Sequence, residues 1–248
     1  MSAQPPGHDP RASPSARPHQ PVIEDRGRLR EVLTYARRGS RFTPSQATAW
    51  AAHHEDWVIP DQAVEDPDFS LARSFGRSAP LIVEIGCGVG EATAVLAAAR
   101  PDHDVLALEV WRPGVAASLA RVAEQGARNV RFCSVDAVWA LRHLVTRGEV
   151  AELWTFFPDP WPKTRHHKRR LVSAGFASLA ADRLAGGGRW RLATDWAEYA
   201  RHMVAVLDAE PMLEGGVVER WSDRPLTKFE RKGVEAGREI VDVAYRRF

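Results

Sequence analysis

From Ala79 onward the chain repeats one unit, a short apolar run, a glycine or acidic stop and then a stretch of helical character. The apolar runs are LIVEIG (81–86), DVLALEV (104–110), NVRFCSVD (129–136), ELWTFF (152–157) and RWRLATD (189–195), all of strand composition. Helical segments are expected over about 91–99, over 113–126, from the end of the third run to about Arg147 with Gly148 as cap, and from about Lys168 to Gly186-Gly187-Gly188. Strict alternation of this kind predicts an α/β fold, a mostly parallel sheet with helices on both faces. VVERW and REIVDVAYRRF, nearer the carboxyl end, predict a closing antiparallel pair and bring the sheet to seven strands.

What precedes residue 79 has another character. The first 21 residues hold six of the seventeen prolines and almost nothing apolar. Residues 1–30 are therefore expected to be a disordered proline-rich tail, and 31–78 a basic extension packing on the α/β domain of 79–248. No window approaches the roughly 20 apolar residues of a membrane helix, and no apolar segment of a secretory signal follows the first basic residue. Cys87 and Cys133 form no metal spacing. A reduced, cytoplasmic setting without metal or membrane is expected. The net charge of +2 is too mild to announce a nucleic acid, so the distribution of charge must decide.

In doubly wound sheets the ligand lies at the carboxyl ends of the strands, where their order reverses. The first strand ends in Glu84-Ile85-Gly86-Cys87-Gly88-Val89-Gly90, a GxGxG loop with Glu91 where a dinucleotide fold wants its third glycine. NAD fits this poorly. Glu84, Glu109, Asp136 and Asp159 stand at or near the ends of the first four strands, spaced by 25, 27 and 23 residues, so that four carboxylates meet on one rim. Any one of them could simply cap the next helix. Four in phase favour a cofactor with a positive centre and ribose hydroxyls, S-adenosyl-L-methionine. Glu84 would face its ammonium group, Glu109 the ribose and Asp136 the adenine amino group.

Asp159 lies in FFPDPWPKTRHHKRRL (156–171), held between Pro158 and Pro160, with Lys163, Arg165, Lys168, Arg169 and Arg170 beyond it and no acid until Asp182. Such a run is often a solvated helix face. Beginning at the catalytic rim, it suits the phosphates of an RNA, with Trp161 as the aromatic that touches it. His166 and His167 are adjacent and cannot share a helix face, which argues against a metal site.

These blocks, FPDPWPKTRHHKRRL with EIGCGVG, LALEV, TDW (194–196) and TKFERKG (227–233), resemble the bacterial tRNA (guanine-N7)-methyltransferases, class I methyltransferases of Rossmann-like fold. The likeness runs from about Tyr35 onward. It implies methyl transfer from S-adenosyl-L-methionine to N7 of a guanine in the tRNA variable loop, with Asp159 catalytic. It also implies that Glu84, Gly86, Gly88, Gly90, Glu109, Asp136 and Asp159 hold the cofactor, and that Lys163, Asp195, Thr227, Lys228, Phe229 and Glu230 bind substrate. Arg37, Arg38 and Arg41 look like the family's basic amino-terminal motif, joining Arg165, Lys168, Arg169 and Arg170 on the tRNA backbone. Pro162 stands where the family has histidine, and Ser40 where it has glycine.

Guanine N7 carries an available lone pair, so alignment and charge stabilisation should suffice for transfer. On this view Asp195 and Glu230 accept from the guanine N1–H and amino edge. An exocyclic-amine RNA methyltransferase remains an alternative, since such enzymes place a short Asp/Asn-Pro-Pro-aromatic turn at this strand end. A non-catalytic RNA-binding protein is another.

Overall fold

The computed structural model describes residues 34–35 and 39–248. The basic positions Arg37 and Arg38, like the proline-rich segment, lie outside the described residues. Strands β1 (Val58–Ile59), β2 (Leu81–Ile85), β3 (Asp104–Leu108), β4 (Val130–Cys133), β5 (Val150–Phe156), β6 (Leu184–Thr194), β7 (Leu213–Val218) and β8 (Val241–Arg247) form one sheet in the order β1-β4-β3-β2-β5-β6-β8-β7. The first six pair in parallel, while β8 runs antiparallel to both β6 and β7. The strand order reverses at β2, with β3 on one side and β5 on the other.

Seven strands were expected and eight are present. The additional one, β1, is a two-residue pairing of Val58 and Ile59 with Phe132 and Cys133, too short to leave a periodic trace in sequence. It follows α1 (Pro44–Trp57), a helix whose start is marked by a capping box, Thr43 receiving the Gln46 amide while the Gln46 side chain returns to the Thr43 N–H. Gln46 Nε2 also donates to the Pro113 carbonyl at 2.9 Å, tying this helix to α4 (Arg112–Glu124).

Alternate residues of the parallel strands feed two cores. Val83, Ile85, Leu106 and Leu108 face α5 (Ala137–His143), α6 (Ala174–Arg183) and α7 (Ala197–Asp208). Ile82, Val105, Ala107, Phe132 and Trp154 face α3 (Glu91–Ala98) and α4. Every residue of β2 and β3 is buried, as strands covered on both faces require.

Two boundaries differ from expectation. The basic run 164–169 forms a 3₁₀ helix with no buried residue, and α6 begins only after Ser173, whose hydroxyl caps it. The three glycines do not end a helix. They lie inside β6, where Leu184 pairs with Val150 and Arg189 with Glu152, so the glycines bulge out of the ladder. A Cβ on Gly188 would stand 2.8 Å from the Val150 carbonyl oxygen, a close approach that excludes any side chain there.

Near the antiparallel end, Arg224 is fully buried and joins α8 (Lys228–Glu235) to β8: it donates to Glu230 at 2.5 Å and to Asp242 at 2.7 Å. Removing one member of a buried ion cluster strands the others in a dry interior. Arg224→Ala is expected to cost about 3–5 kcal/mol, read as a lowered midpoint in chemical denaturation.

Candidate functional site

The loop after β2 turns through three left-handed glycines, Gly86, Gly88 and Gly90, with φ of +76°, +61° and +77°. A Cβ on Gly90 would lie 2.7 Å from the Ser118 side chain on α4, so the loop presses against that helix and only glycine fits. The loop forms the floor of a cleft of about 180 Å³ at the switch point of the sheet.

All four strand-end acids line this cleft. Glu84 is 3% exposed and receives the Thr93 hydroxyl at 2.6 Å. Its pKa is raised to about 7, chiefly by burial and further by the Glu109 carboxylate, against the lowering effect of Thr93. No cation among the described residues pairs with it. Glu109 accepts from the Gly88 amide at 2.9 Å and the Trp111 amide at 2.8 Å, so its carboxylate stands over the glycine loop. Asp136 accepts from the Val138 amide at 2.9 Å and caps α5. The capping role weighed from sequence is thus real for Asp136, and cleft lining accompanies it. Leu108, Val110, Val135 and Ala137 add an apolar wall beside Glu109 and Asp136. In sequence Leu108, Val110 and Val135 are marked only as parts of the second and third apolar runs.

Asp159 enters from the loop after β5, between Phe157 and Trp161, which both hold left-handed φ, +51° and +45°. Non-glycine residues in that region cost on the order of 1–3 kcal/mol each. Trp161 is turned inward: its indole Nε1 donates to the Thr34 carbonyl at 3.1 Å, and the Arg169 guanidinium stacks on its ring at 3.6 Å. Arg169 in turn donates to the Tyr35 carbonyl. Thr34 and Tyr35 themselves line the cleft, as does Trp111, whose Nε1 donates to the Gly39 carbonyl at 2.7 Å. Sequence reasoning did not place Thr34 or Trp111 there, since neither sits in a spaced pattern.

The 3₁₀ segment leaves Lys163, Arg165 and Lys168 exposed beside the cleft. Partial desolvation, with Arg165, Arg169, Lys163 and Lys168 nearby, holds His166 below the ordinary histidine value. Arg41 is exposed at the start of the α1 segment. Arg170 differs from its neighbours. It is 3% exposed, with its guanidinium on Glu198 and on the Pro160 carbonyl. It therefore leaves the set of cations available to a phosphate.

The TKFERKG stretch builds α8. Thr227 caps it and lines the cleft with Phe229, while the Lys228 amide donates to the Glu91 carboxylate across the mouth. Gly233 is required by contact, since a Cβ there would stand 2.9 Å from that of Asp195. Asp195 receives both Nε and a terminal nitrogen of Arg238 at 2.8 Å on one oxygen. Glu230 lies 2% exposed with its oxygens on Arg220 and Arg224. That pairing corrects its expected role at the guanine edge: Glu230 anchors the helix that presents Thr227 and Phe229.

The geometry agrees with what the chain is similar to. Residues 78–243 match a family model described as a putative methyltransferase. A tRNA (guanine-N(7)-)-methyltransferase of Nocardioides sp. is 66% identical over 98% of both chains, and one of Cutibacterium acnes is 42% identical over 95% of this chain and 94% of its own. Among solved structures, the 16S rRNA methyltransferase KamB superposes with a TM-score of 0.53 at 17% identity, covering 73% of this chain and 94% of its own, a likeness of fold. With identity of this level along nearly its whole length, the chain belongs to the tRNA (guanine-N7)-methyltransferase family.

Proposed function

We propose that this chain transfers the methyl group of S-adenosyl-L-methionine to N7 of a guanine in the variable loop of tRNA, in a cytoplasmic setting, with residues 79–248 carrying the reaction and 31–78 packing on them as an extension. The observation that carries the reading is the cleft at the strand reversal, where Glu84, a buried carboxyl with no cationic partner among the described residues, sits among three further strand-end acids. A carboxyl so placed favours a ligand that brings its own positive charge.

The cofactor supplies a methyl group already activated on a sulfonium. What the protein adds is placement. Glu84 is suited to the ammonium group, Glu109 to the ribose hydroxyls, and the apolar wall with Asp136 to the adenine. The glycine loop lets backbone approach the ligand closely. Asp159 stands where the base is delivered. Guanine N7 needs no deprotonation, so the carboxylate holds the base in line and favours the positive charge the ring acquires. Phe229, 49% exposed at the cleft mouth, offers a ring on which a base can stack. Lys163, Arg165 and Lys168 form the exposed ridge suited to phosphates, and the left-over edge acceptor for the base is Asp195.

Methyl transfer to unmodified tRNA followed by nucleoside analysis is expected to yield 7-methylguanosine; labelled adenine or an exocyclic amine would refute the assignment. Asp159→Ala should lower kcat by about 100-fold or more in a protein that unfolds at the wild-type temperature. Glu84 gives a pH signature. Its folded pKa is raised from 4.5 to about 7, so its contribution to apo stability is present below 4.5 and is lost as pH rises through about 7. A cationic ligand selects the ionised form, so cofactor affinity should rise with pH up to about 7 by no more than about tenfold per unit. Calorimetry on Glu84→Gln should show weaker binding and no such slope. Charge removal at Arg165 and Lys168 together should flatten the salt dependence of tRNA binding by about two phosphate contacts, measured as the slope of log affinity against log salt.

A further inference from the structure

Arg170 closes the basic run, yet it behaves unlike the rest of it. Its Nε donates to the Pro160 carbonyl at 3.0 Å, its two terminal nitrogens reach both oxygens of Glu198, and its guanidinium lies 4.9 Å from the centre of the Tyr199 ring. Pro160 is the residue after Asp159. Glu198 is in the first turn of α7, three residues beyond Asp195. Helix α7 grips the same stretch again, through the Tyr199 hydroxyl, which accepts from the Val172 amide at 3.2 Å, and through His202, bonded to the Val172 carbonyl at 2.9 Å.

The turn so gripped cannot hold itself. Prolines at 158, 160 and 162 leave three of five successive residues without an N–H, and the turn is bracketed by the left-handed Phe157 and Trp161. Such conformations persist only where surrounding structure over-determines them. A bidentate arginine is suited to this, because its planar fork fixes direction as well as distance.

We propose that the Arg170–Glu198 pair is a positioning clamp for Asp159, fixing the turn after β5 against the start of α7 and thereby setting the carboxylate against the base. The inference rests on the reading of Asp159 as the residue beside the transferred methyl. Arg170 serves the reaction from within the protein, through Pro160, and makes no contact with tRNA. Because the clamp joins the loop after β5 to the one after β6, Asp159 and Asp195 are held in one rigid frame.

The test uses Glu198→Gln and Arg170→Gln in the full chain, with Lys168→Gln on the exposed ridge as the reference for the salt slope that a lost phosphate contact produces. Each is measured for kcat and KM with unmodified tRNA, for tRNA affinity across a salt series and for thermal unfolding. Glu198→Gln is expected to lower kcat by about 10- to 100-fold while KM for tRNA and the salt slope stay at wild-type values. In an Asp159→Ala background the same change should not lower the residual rate further, because the clamp acts through that carboxylate. A Glu198→Gln enzyme with wild-type kcat overturns the proposal. So does an Arg170→Gln enzyme that keeps kcat and loses about one phosphate contact from its salt slope. Should Arg170→Gln fail to fold, Glu198→Gln decides alone: glutamine keeps the length of the 45% exposed side chain and one oxygen to accept from Arg170, and kcat is compared at a temperature where thermal unfolding shows the variant folded. Wild-type protein that makes no 7-methylguanosine refutes the assigned reaction, and the clamp falls with it; wild-type protein that makes it while Glu198→Gln equals it refutes only the clamp.

Discussion

The pairing of β2 between β3 and β5 governs everything at the site. Two parallel neighbours leaving in opposite directions open a crevice at the end of β2, and burial on both faces holds the three strands in register. Glu84 is carried into that crevice within β2 itself, partnered along the ladder by Ala107 and Trp154. A carboxyl in a strand that neither neighbour allows to shift cannot escape to water. Its raised pKa is the direct result of that confinement.

Several arginines are taken up by acids and rings of the protein itself. Arg224 and Arg170 are buried, and Arg100 and Arg191 are half-buried against Glu152 and the rings of Trp154 and Trp221. These hold loops to the sheet. The exposed cations of 163–168 stand apart from them in one short segment next to the cleft. A near-neutral net charge is compatible with a concentrated basic ridge, because 32 acids balance 34 basic residues over the whole chain while no acid falls between Asp159 and Asp182.

The parallel sheet, the cleft and its four acids were legible because each depends on a local signal: an apolar run, a glycine stop, an acid repeating once per strand-helix unit. The capping box at Thr43 is equally local, Thr43 and Gln46 standing three residues apart ahead of the helix they start. Arg170 and Glu230 could not be read correctly. Their roles are set by partners 28 and 10 or fewer residues away that only folding brings into contact. In sequence Arg170 is one more cation after Lys168 and Arg169, and burial alone separates it from them. The glycine triplet misled by the same route, since a bulge inside a strand and a helix stop share one composition.

The order of β6, β8 and β7 in the sheet has a consequence for synthesis. β7 leaves the ribosome before β8 but has no strand to pair with until β8 slots between it and β6. Until then β6 presents a bare edge, and Val217 and Val218 of β7 are open to any neighbouring nascent chain. The half of the sheet carrying Asp195 thus closes late, so premature termination within 241–247 would remove an interior strand and leave β7 unmoored.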